Sequence, residues 1–185
     1  MTIDEHALDQ AAAQLWKASE AGEPCDPVAG LLEDGNVDDA YAVQNRNTER
    51  RLADGARLVG RKIGLTSASV QRQLGVSQPD YGMLFADMAV DEGGEVPVGR
   101  LLQPRAEAEI AFVLGRDLPH PDTTVAEVLR AIDFAVESIE IVDSRIADWQ
   151  IGFIDTVADN ASSGLYVLGS SPVSMDAFDP LSCGM

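Results

Sequence analysis

The sequence predicts an α+β protein, with a helical N-terminal region over residues 1–56 and a mixed, β-rich body over residues 57–185. Two observations lead to this prediction. Before residue 56 the apolar residues recur at helical spacing, and after residue 57 they form short runs broken by Gly and Pro. Because 45% of the 185 residues are hydrophobic, the chain can also bury a sizeable core.

Two helices are expected in the N-terminal region. The second begins after Asn36 as N-cap, has Asp38 and Asp39 in its first turn, where the helix dipole favours acidic side chains, and ends near Asp54. The first covers residues 4–21, because five apolar residues share one of its faces: Leu8, Ala11, Ala12, Leu15 and Trp16.

Strands and two short helices are expected in the body. One helix follows Thr66 and Ser67, and the other covers residues 123–132 with Asp122 or Thr123 as its N-cap. The strands are expected at residues 58–65, 82–90, 107–114, 134–142 and 165–168. Since the sequence stops at Met185 without a closing helix, we expect C-terminal strands to be missing and a sheet edge to be left unpaired.

Composition excludes several classes of function. With 31 acidic against 13 basic residues, the net charge of -18 argues against nucleic acid and membrane surfaces as partners. No signal peptide or long apolar stretch is evident, so a cytoplasmic location is expected. Cys25 and Cys183 lie too far apart for a zinc motif, and neither His6 nor His120 lies where a catalytic or metal-binding histidine is expected.

A pair of glutamates is the first candidate for chemistry. Glu107 and Glu109 alternate on one strand, so both point to the same face, about 7 Å apart. The apolar run 110–114 follows directly, and an unpaired charge beside it is costly unless a divalent cation binds. Chance is the alternative, although composition predicts about five such acidic pairs and this is the only one in the chain.

Glu140, between two isoleucines, is the second candidate. It faces either solvent or a site, while Glu137 faces the other way. If its strand lies beside that of Glu107, three carboxylates surround one hard cation, as Mg²⁺ prefers. Alternatively, Glu140 forms an ion pair with Arg145 or Arg105.

Three further positions carry polar groups in suggestive places. Lys62, one of two lysines among 13 basic residues, is either a buried ammonium that can lose its proton or an exposed strand residue. Asp80 lies in the segment 78–82, which is a turn by composition, and is either an acid–base group or a turn residue. The polar segment 159–164 offers hydroxyls and amides to a carboxylate, or is a plain loop.

Taken together, five segments resemble the 2-keto-4-pentenoate hydratase family of the fumarylacetoacetate hydrolase superfamily. They are GRKIGLTS at 60–67, QPDYGML at 78–84, PRAEAEIAF at 104–112, EIVDSR at 140–145 and DNASS at 159–163. The resemblance covers nearly the whole chain. It implies a β-roll or barrel-like body of the fumarylacetoacetate hydrolase type, which forms a homo-oligomer when full length.

The resemblance also implies roles for the candidate residues. Glu107, Glu109 and Glu140 match the family's ligands for Mg²⁺ or Mn²⁺, and Lys62 matches its active-site lysine. Asp80 is expected to act as the acid–base group. We expect a serine of the 159–163 segment, Ser162 or Ser163, to hold the substrate carboxylate.

The implied reaction is the hydration of 2-hydroxypenta-2,4-dienoate to 4-hydroxy-2-oxopentanoate in aromatic meta-cleavage pathways. The substrate is thus a small 2-oxo or 2-hydroxy dienoic acid. Two alternatives stay open at this point. One is 2-oxo-3-hexenedioate (4-oxalocrotonate) decarboxylase of the same family, and the other is an inactive truncated fragment that retains a structural cation site.

Overall fold

The computed structural model is an α+β arrangement, as predicted, and describes residues 5–32, 36–97, 99–180 and 182–183. The helices in these residues are α1 Glu5–Ala21, α2 Val37–Ala53, α3 Ala68–Leu74, α4 Val125–Ala131 and α5 Phe153–Ala158. The strands are β1 Leu58–Gly64, β2 Asp80–Phe85, β3 Ala89–Val90, β4 Arg105–Leu114, β5 Ile132–Val142 and β6 Ser163–Leu168.

Capping explains where two of the helices begin. The predicted N-cap of α2 is confirmed, because the Asn36 side chain accepts a hydrogen bond from the backbone N–H of Asp38 at 3.0 Å. The N-cap of α4 is Thr124, so the expectation of Asp122 or Thr123 was wrong. Thr124 forms a capping box in which its backbone N–H donates to the Glu127 carboxylate at 2.8 Å.

The strands form two sheets. One is the antiparallel pair β1–β2, and the other has the order β3-β6-β5-β4, with β3–β6 parallel and the remaining pairs antiparallel. The strand predicted at 82–90 is therefore wrong as one element. It divides into β2 and β3 because the turn Ala86–Met88 redirects the chain from the first sheet to the second.

The predicted turn at 78–82 is also corrected. Asp80 is the first residue of β2 and pairs with Gly64 on β1, so strand pairing, rather than local turn chemistry, fixes its position.

Two hydrophobic clusters form the core of the part of the chain that the structure describes. The smaller lies around β2 and β6 and includes Met83, Phe85, Met88 and Leu165. The larger joins α1 and α2 to residues from the second half of the chain, and its buried members include Leu8, Leu15, Val43, Ile146, Val157 and Ala158. The N-terminal helices therefore share a core with α5, and the division at residue 56 stays a prediction. No described helix is both long and apolar enough to cross a membrane.

Strand β4 lies at the edge of the four-stranded sheet. Near it, Phe112, Leu114 and Ile139 are each more than two fifths exposed, and Val125 on α4 is 76% exposed. The end of the chain at Met185, from which missing strands were expected, lies outside the described residues.

Candidate active site

Three carboxylates meet where β4 and β5 pair. The register of this antiparallel pair places Glu107 directly opposite Glu140, and Glu109 lies two residues further along on the same face of β4. One oxygen from each of the three side chains lies within 4.8 Å of the others. Glu107 and Glu109 are exposed, whereas Glu140 is buried at 8% exposure. The sheet thus builds a site with one buried and two accessible carboxylates.

Burial and neighbouring charge raise the pKa of two of the three carboxylates. Burial raises the pKa of Glu140. The Lys62 ammonium lowers this pKa, and the negative charges of Glu107 and Glu109 raise it further. Burial also raises the pKa of Glu109, and the charge of Glu107 adds to the effect. Negative charge therefore exceeds positive charge here, which is the condition under which a bound cation stabilises a cluster.

The donor set fits a hard divalent cation. Mg²⁺ takes oxygen ligands at about 2.1 Å, which places neighbouring ligand atoms roughly 3–4 Å apart. Small rotations of the exposed Glu107 and Glu109 side chains are enough to reach that spacing from 4.8 Å. Glu107, Glu109 and Glu140 could therefore hold such an ion.

Lys62 joins this cluster from the other sheet. Its Nζ lies 2.9 Å from Oε1 of Glu140, and both side chains are only 10% exposed. The same Nζ donates a hydrogen bond to the backbone carbonyl of Ala161 at 2.9 Å. Lys62 is thus a buried lysine held between a carboxylate and a carbonyl, and not an exposed strand residue.

The alternative partners considered for Glu140 are engaged elsewhere. Arg145 forms an ion pair with Asp159, with 2.5 Å between Nε and Oδ1. The Arg105 guanidinium lies over the Trp149 ring, 4.1 Å from its centroid. The partner of Glu140 in the structure is Lys62.

Asp80 is a buried residue of β2, opposite Gly64 of β1. Its residue exposure is 2%, and burial raises its pKa, an effect that the Lys62 charge opposes. The N–H groups of Asp80 and Gly64 favour its charged form, yet neither carboxylate oxygen accepts a hydrogen bond of normal geometry from the described residues. A Cβ at Gly64 would clash with the Asp80 carboxylate, so this glycine provides the space for it.

A strained turn faces Lys62 from the end of α5. Asn160, Ala161 and Ser162 have φ angles of 55°, 52° and 52°, in the left-handed region. For residues with a Cβ this conformation costs about 1–2 kcal/mol each. A side chain at Gly82 would clash with the Asn160 carbonyl oxygen, so Gly82 allows the turn to approach β2.

The two candidate serines differ in their contacts. Ser162 is 3% exposed, and its hydroxyl has no hydrogen-bond partner among the described residues. Ser163 is also buried, but its hydroxyl donates to the Asn160 carbonyl at 2.7 Å. Ser162 is therefore the serine whose hydroxyl is available to a ligand.

Sequence reasoning missed the residues that make room for the site. Gly64 lies two residues after Lys62, and Gly82 lies two residues after Asp80, so strand alternation places all four on one face of the β1–β2 pair. In the sequence, a glycine two residues after Lys62 and another two residues after Asp80 could have indicated that space is needed on this face. The left-handed backbone at Asn160 could not be predicted from the sequence, because residues 160–162 contain no glycine.

A separate cavity of about 330 Å³ lies between the helices and the body, and Arg51, Arg100 and Arg145 are among its lining residues. The three glutamates and Lys62 do not line it. The carboxylate cluster is the candidate site, because three carboxylates lie there within reach of one cation.

The chain is similar to several named hydratases. The chain is 58% identical over 179 residues to TodF product hydratase of Pseudomonas putida F1, covering 97% of the chain and 67% of that relative. It is 56% identical over all 185 residues to 2-keto-4-pentenoate hydratase 2 of Dechloromonas aromatica RCB, covering 71% of that relative. No model of a protein family matches the chain.

Solved structures are similar as well. The structure of 4-oxalocrotonate decarboxylase from Pseudomonas putida G7, complexed with magnesium and adipate, matches with a TM-score of 0.87 at 32% identity, covering 97% of this chain and 68% of that one. The same enzyme complexed with calcium and acetate also gives 0.87, with 96% and 67% covered. Compared with these relatives, the chain spans about two thirds of their length.

Proposed function

We propose, because the chain belongs to the 2-keto-4-pentenoate hydratase family, that it catalyses the addition of water to 2-hydroxypenta-2,4-dienoate to give 4-hydroxy-2-oxopentanoate in the breakdown of aromatic compounds. The observation that supports this most is the cluster of Glu107, Glu109 and Glu140 with Lys62 bound to its buried member. With a divalent cation bound, such a cluster would suit a small anionic substrate, which an acidic chain otherwise repels.

We assign the divalent cation to the three glutamates, and name Mg²⁺ or Mn²⁺ as the ion. Glu107, Glu109 and Glu140 supply the hard oxygen donors that both ions accept. When bound, the ion supplies Lewis acidity toward the carboxylate and the 2-oxygen of the substrate. The remaining steps depend on the side chains around it.

Lys62 is assigned to the 2-oxygen of the substrate. An ammonium has three donors. The Nζ donates one hydrogen bond to the Ala161 carbonyl at 2.9 Å and forms an ion pair with Glu140 Oε1 at 2.9 Å, so at least one N–H is left for a ligand. That donor can stabilise negative charge as it develops on the oxygen.

Asp80 is assigned to proton transfer on the carbon chain. In the proposed sequence the 2-hydroxyl proton is lost and C5 gains a proton, which gives the unsaturated ketone. Water then adds its oxygen at C4 and a proton at C3. Burial raises the pKa of the Asp80 carboxyl, which makes it a better proton acceptor than an exposed aspartate and lets it hold a proton and then release it.

Ser162 is assigned to the carboxylate end of the substrate. Its hydroxyl is buried and free of protein partners among the described residues, and an anionic oxygen is a strong acceptor for it. We keep Ser163 as the second possibility, although its hydroxyl already donates to Asn160.

The finer structural expectations are proposals too. We propose a body of the fumarylacetoacetate hydrolase type, a homo-oligomer in the full-length protein, and a cytoplasmic location. The first is supported by the mixed two-sheet topology, and the second by the exposed Phe112, Leu114 and Ile139 side chains.

The rival function is decarboxylation of 4-oxalocrotonate. The fold similarity to that decarboxylase at 32% identity favours it, but the relatives that are 56–58% identical are named as hydratases. Lys62 and the carboxylate cluster suit either reaction, since both start from a small 2-oxo or 2-hydroxy acid whose carboxylate and 2-oxygen a bound cation would hold.

The experiment offers each substrate to the purified protein with Mg²⁺, with Mn²⁺ and with a chelator. Hydration is followed by mass spectrometry as the gain of one water, and decarboxylation as released CO₂. Metal-dependent hydration without CO₂ release is the expected result. Efficient CO₂ release would identify the decarboxylase. No turnover of either substrate, with thermal stabilisation by Mg²⁺ retained, would indicate a cation site without catalysis.

A further inference from the structure

The turn at Asn160, Ala161 and Ser162 is unfavourable on its own. Three successive residues with a Cβ adopt left-handed φ angles, and such a conformation persists only where the surroundings impose it. Something outside the turn must therefore hold it in place.

The Asn160 side chain is the main support. Its Oδ1 accepts a hydrogen bond from the Met83 N–H at 2.7 Å, and its Nδ2 donates to the Met83 carbonyl at 3.0 Å. The amide thus pairs with both backbone groups of one residue in β2. Asparagine suits the position because it tolerates the left-handed conformation better than most residues and presents a donor and an acceptor together.

The other end of the turn is held as well. The Ser162 carbonyl accepts a hydrogen bond from the Asp143 N–H at 2.7 Å. Because both neighbours are fixed, the carbonyl of Ala161 between them has one direction, and it accepts from Lys62 Nζ at 2.9 Å. The position of the ammonium therefore depends on the turn.

We propose that Asn160 is a positioning residue for Lys62: by pairing with Met83 it holds the strained turn, and the Ala161 carbonyl of that turn fixes the ammonium beside Glu140. A lysine side chain has four rotatable bonds, so the ion pair with Glu140 alone leaves the direction of the remaining N–H donors of its ammonium open. The second anchor at Ala161 removes that freedom. The catalytic consequence rests on the proposed hydratase function.

The test is Asn160→Asp, which keeps the acceptor toward the Met83 N–H but replaces the donor to its carbonyl by an oxygen. We expect kcat for hydration to fall roughly 10–100-fold, because a small displacement of a catalytic group has effects of this size. The substrate KM and the Mg²⁺ concentration for half-maximal activity should change less than about threefold, since the glutamates are untouched.

Asn47→Asp is the matched control. Asn47 donates from Nδ2 to the Ala12 carbonyl at 3.0 Å between α2 and α1, so the same change removes a comparable hydrogen bond that involves neither Lys62 nor the three glutamates. We expect a similar loss of thermal stability with unchanged kcat. An equal fall in kcat for both variants would overturn the positioning role.

A double-mutant cycle with Lys62→Ala separates positioning from general damage. If Asn160 acts through Lys62, Asn160→Asp should lower the residual kcat of Lys62→Ala by less than about twofold. A fall as large as that in the parent protein would overturn the proposal. If Asn160→Asp does not fold, Asn160→Gly takes its place, because glycine adopts the left-handed backbone freely and lacks the amide.

A crystal structure of the Asn160 variant decides the question even if the parent protein does not turn over the dienoate. The proposal requires the contact between Lys62 Nζ and the Ala161 carbonyl to be lost or lengthened beyond hydrogen-bond range. Retention of that contact at its parent length would overturn it. Absence of hydration by the parent would instead overturn the proposed function and leave this structural outcome readable.

Discussion

Glu140 differs from the other two cluster carboxylates because it carries two tasks at once. It belongs to the triad of oxygens within 4.8 Å, and it is also the ion-pair partner of Lys62. Glu107 and Glu109 are exposed and have only the first task. The three glutamates should therefore respond differently to the same substitution.

We expect each single Glu→Gln change at these positions to lower Mg²⁺ affinity, measured as a higher metal concentration for half-maximal activity and a smaller metal-induced rise in Tm. Raised Mg²⁺ should largely restore kcat in Glu107→Gln and Glu109→Gln. In Glu140→Gln it should restore less, because the Lys62 ammonium has lost its charged partner.

The control for this series is Glu137→Gln. Glu137 lies on β5 opposite Ile110, on the other face of the sheet, and is exposed. We expect its Mg²⁺ requirement to match that of the parent. Equal rescue of all three cluster variants would show that Glu140 has no role beyond metal binding.

The buried Asp80 carboxyl is expected to lower the stability of the folded protein at neutral pH while it contributes to catalysis. Burial raises its pKa, so the folded state binds the Asp80 proton more tightly than the unfolded state does. The free energy of unfolding therefore falls as pH rises from about 4 through the raised pKa, and is level above it. An asparagine at this position has no such dependence.

We expect Asp80→Asn to lose at least about 100-fold in kcat, the scale of general acid–base catalysis, while gaining stability at neutral pH. The gain should shrink as pH falls through the raised pKa of Asp80. Urea unfolding of both proteins between pH 4 and 8 measures it. A variant less stable than the parent at pH 7, with a difference independent of pH, would contradict the assignment of a raised pKa.

At the scale of elements, the contact between β2 and the turn at Asn160 depends on one missing side chain. A Cβ at Gly82 would clash with the Asn160 carbonyl oxygen and lie 2.8 Å from the Ser163 hydroxyl. The first of these is a backbone atom, which cannot rotate away, so the turn would have to move from the strand.

We expect Gly82→Ala to destabilise the protein by about 1–3 kcal/mol, as overpacking does, and to lower kcat because the Ala161 carbonyl moves with the turn. Gly60→Ala on β1 is the control, since nothing lies within 4 Å of its Cβ position. Thermal unfolding and hydration rates check both. Equal stability of the two variants would mean that the turn can move away from β2 without a loss in the free energy of unfolding.

The elements also show what the sequence could and could not predict. Alternation along β4 identified Glu107 and Glu109, and the capping residue of α2 was readable locally. The direct pairing of Glu107 with Glu140 depends on strand register, which local pattern leaves open and which only the family resemblance supplied.

The missed features have physical reasons. Helix α5 has six residues, too few for helical periodicity to show. The division of the strand at 82–90 is set by the pairing of β3 with β6, which is a tertiary contact. The left-handed turn at 160–162 is held by Asn160 contacts to β2, so its conformation follows from the assembled fold and not from its own residues.

At the scale of the whole molecule, the helical region and the body are joined through polar contacts as well as a shared core. Gln44 of α2 is 1% exposed, and its Nε2 donates to the carbonyls of Tyr81 and Val157, at 3.0 and 2.9 Å. Asp155 of α5 accepts from the Val28 N–H at 2.8 Å. These contacts couple the two parts, so they should unfold together.

The two tryptophans allow this to be measured, because they report on different parts of the chain. Trp16 of α1 lies under the Arg50 guanidinium, and Trp149 donates to the Gln103 carbonyl at 3.1 Å. The variants Trp149→Phe and Trp16→Phe each retain one tryptophan. For each variant, we expect the midpoint of urea unfolding measured by tryptophan fluorescence to coincide with the midpoint measured by circular dichroism, as two-state unfolding requires.

Gln44→Leu extends the test, because it leaves the Tyr81 and Val157 carbonyls without their shared donor. We expect a loss of about 2–4 kcal/mol in the free energy of unfolding, since each buried carbonyl left unsatisfied costs about 1–3 kcal/mol. Gln14→Leu, which removes one exposed hydrogen bond to the Asp26 carbonyl, should cost less than 1 kcal/mol, roughly the net worth of a single hydrogen bond. Both tryptophan signals should shift equally in Gln44→Leu. Two separate midpoints, with the Trp16 transition alone moved by Gln44→Leu, would show that residues 1–56 form a unit that unfolds independently of the body.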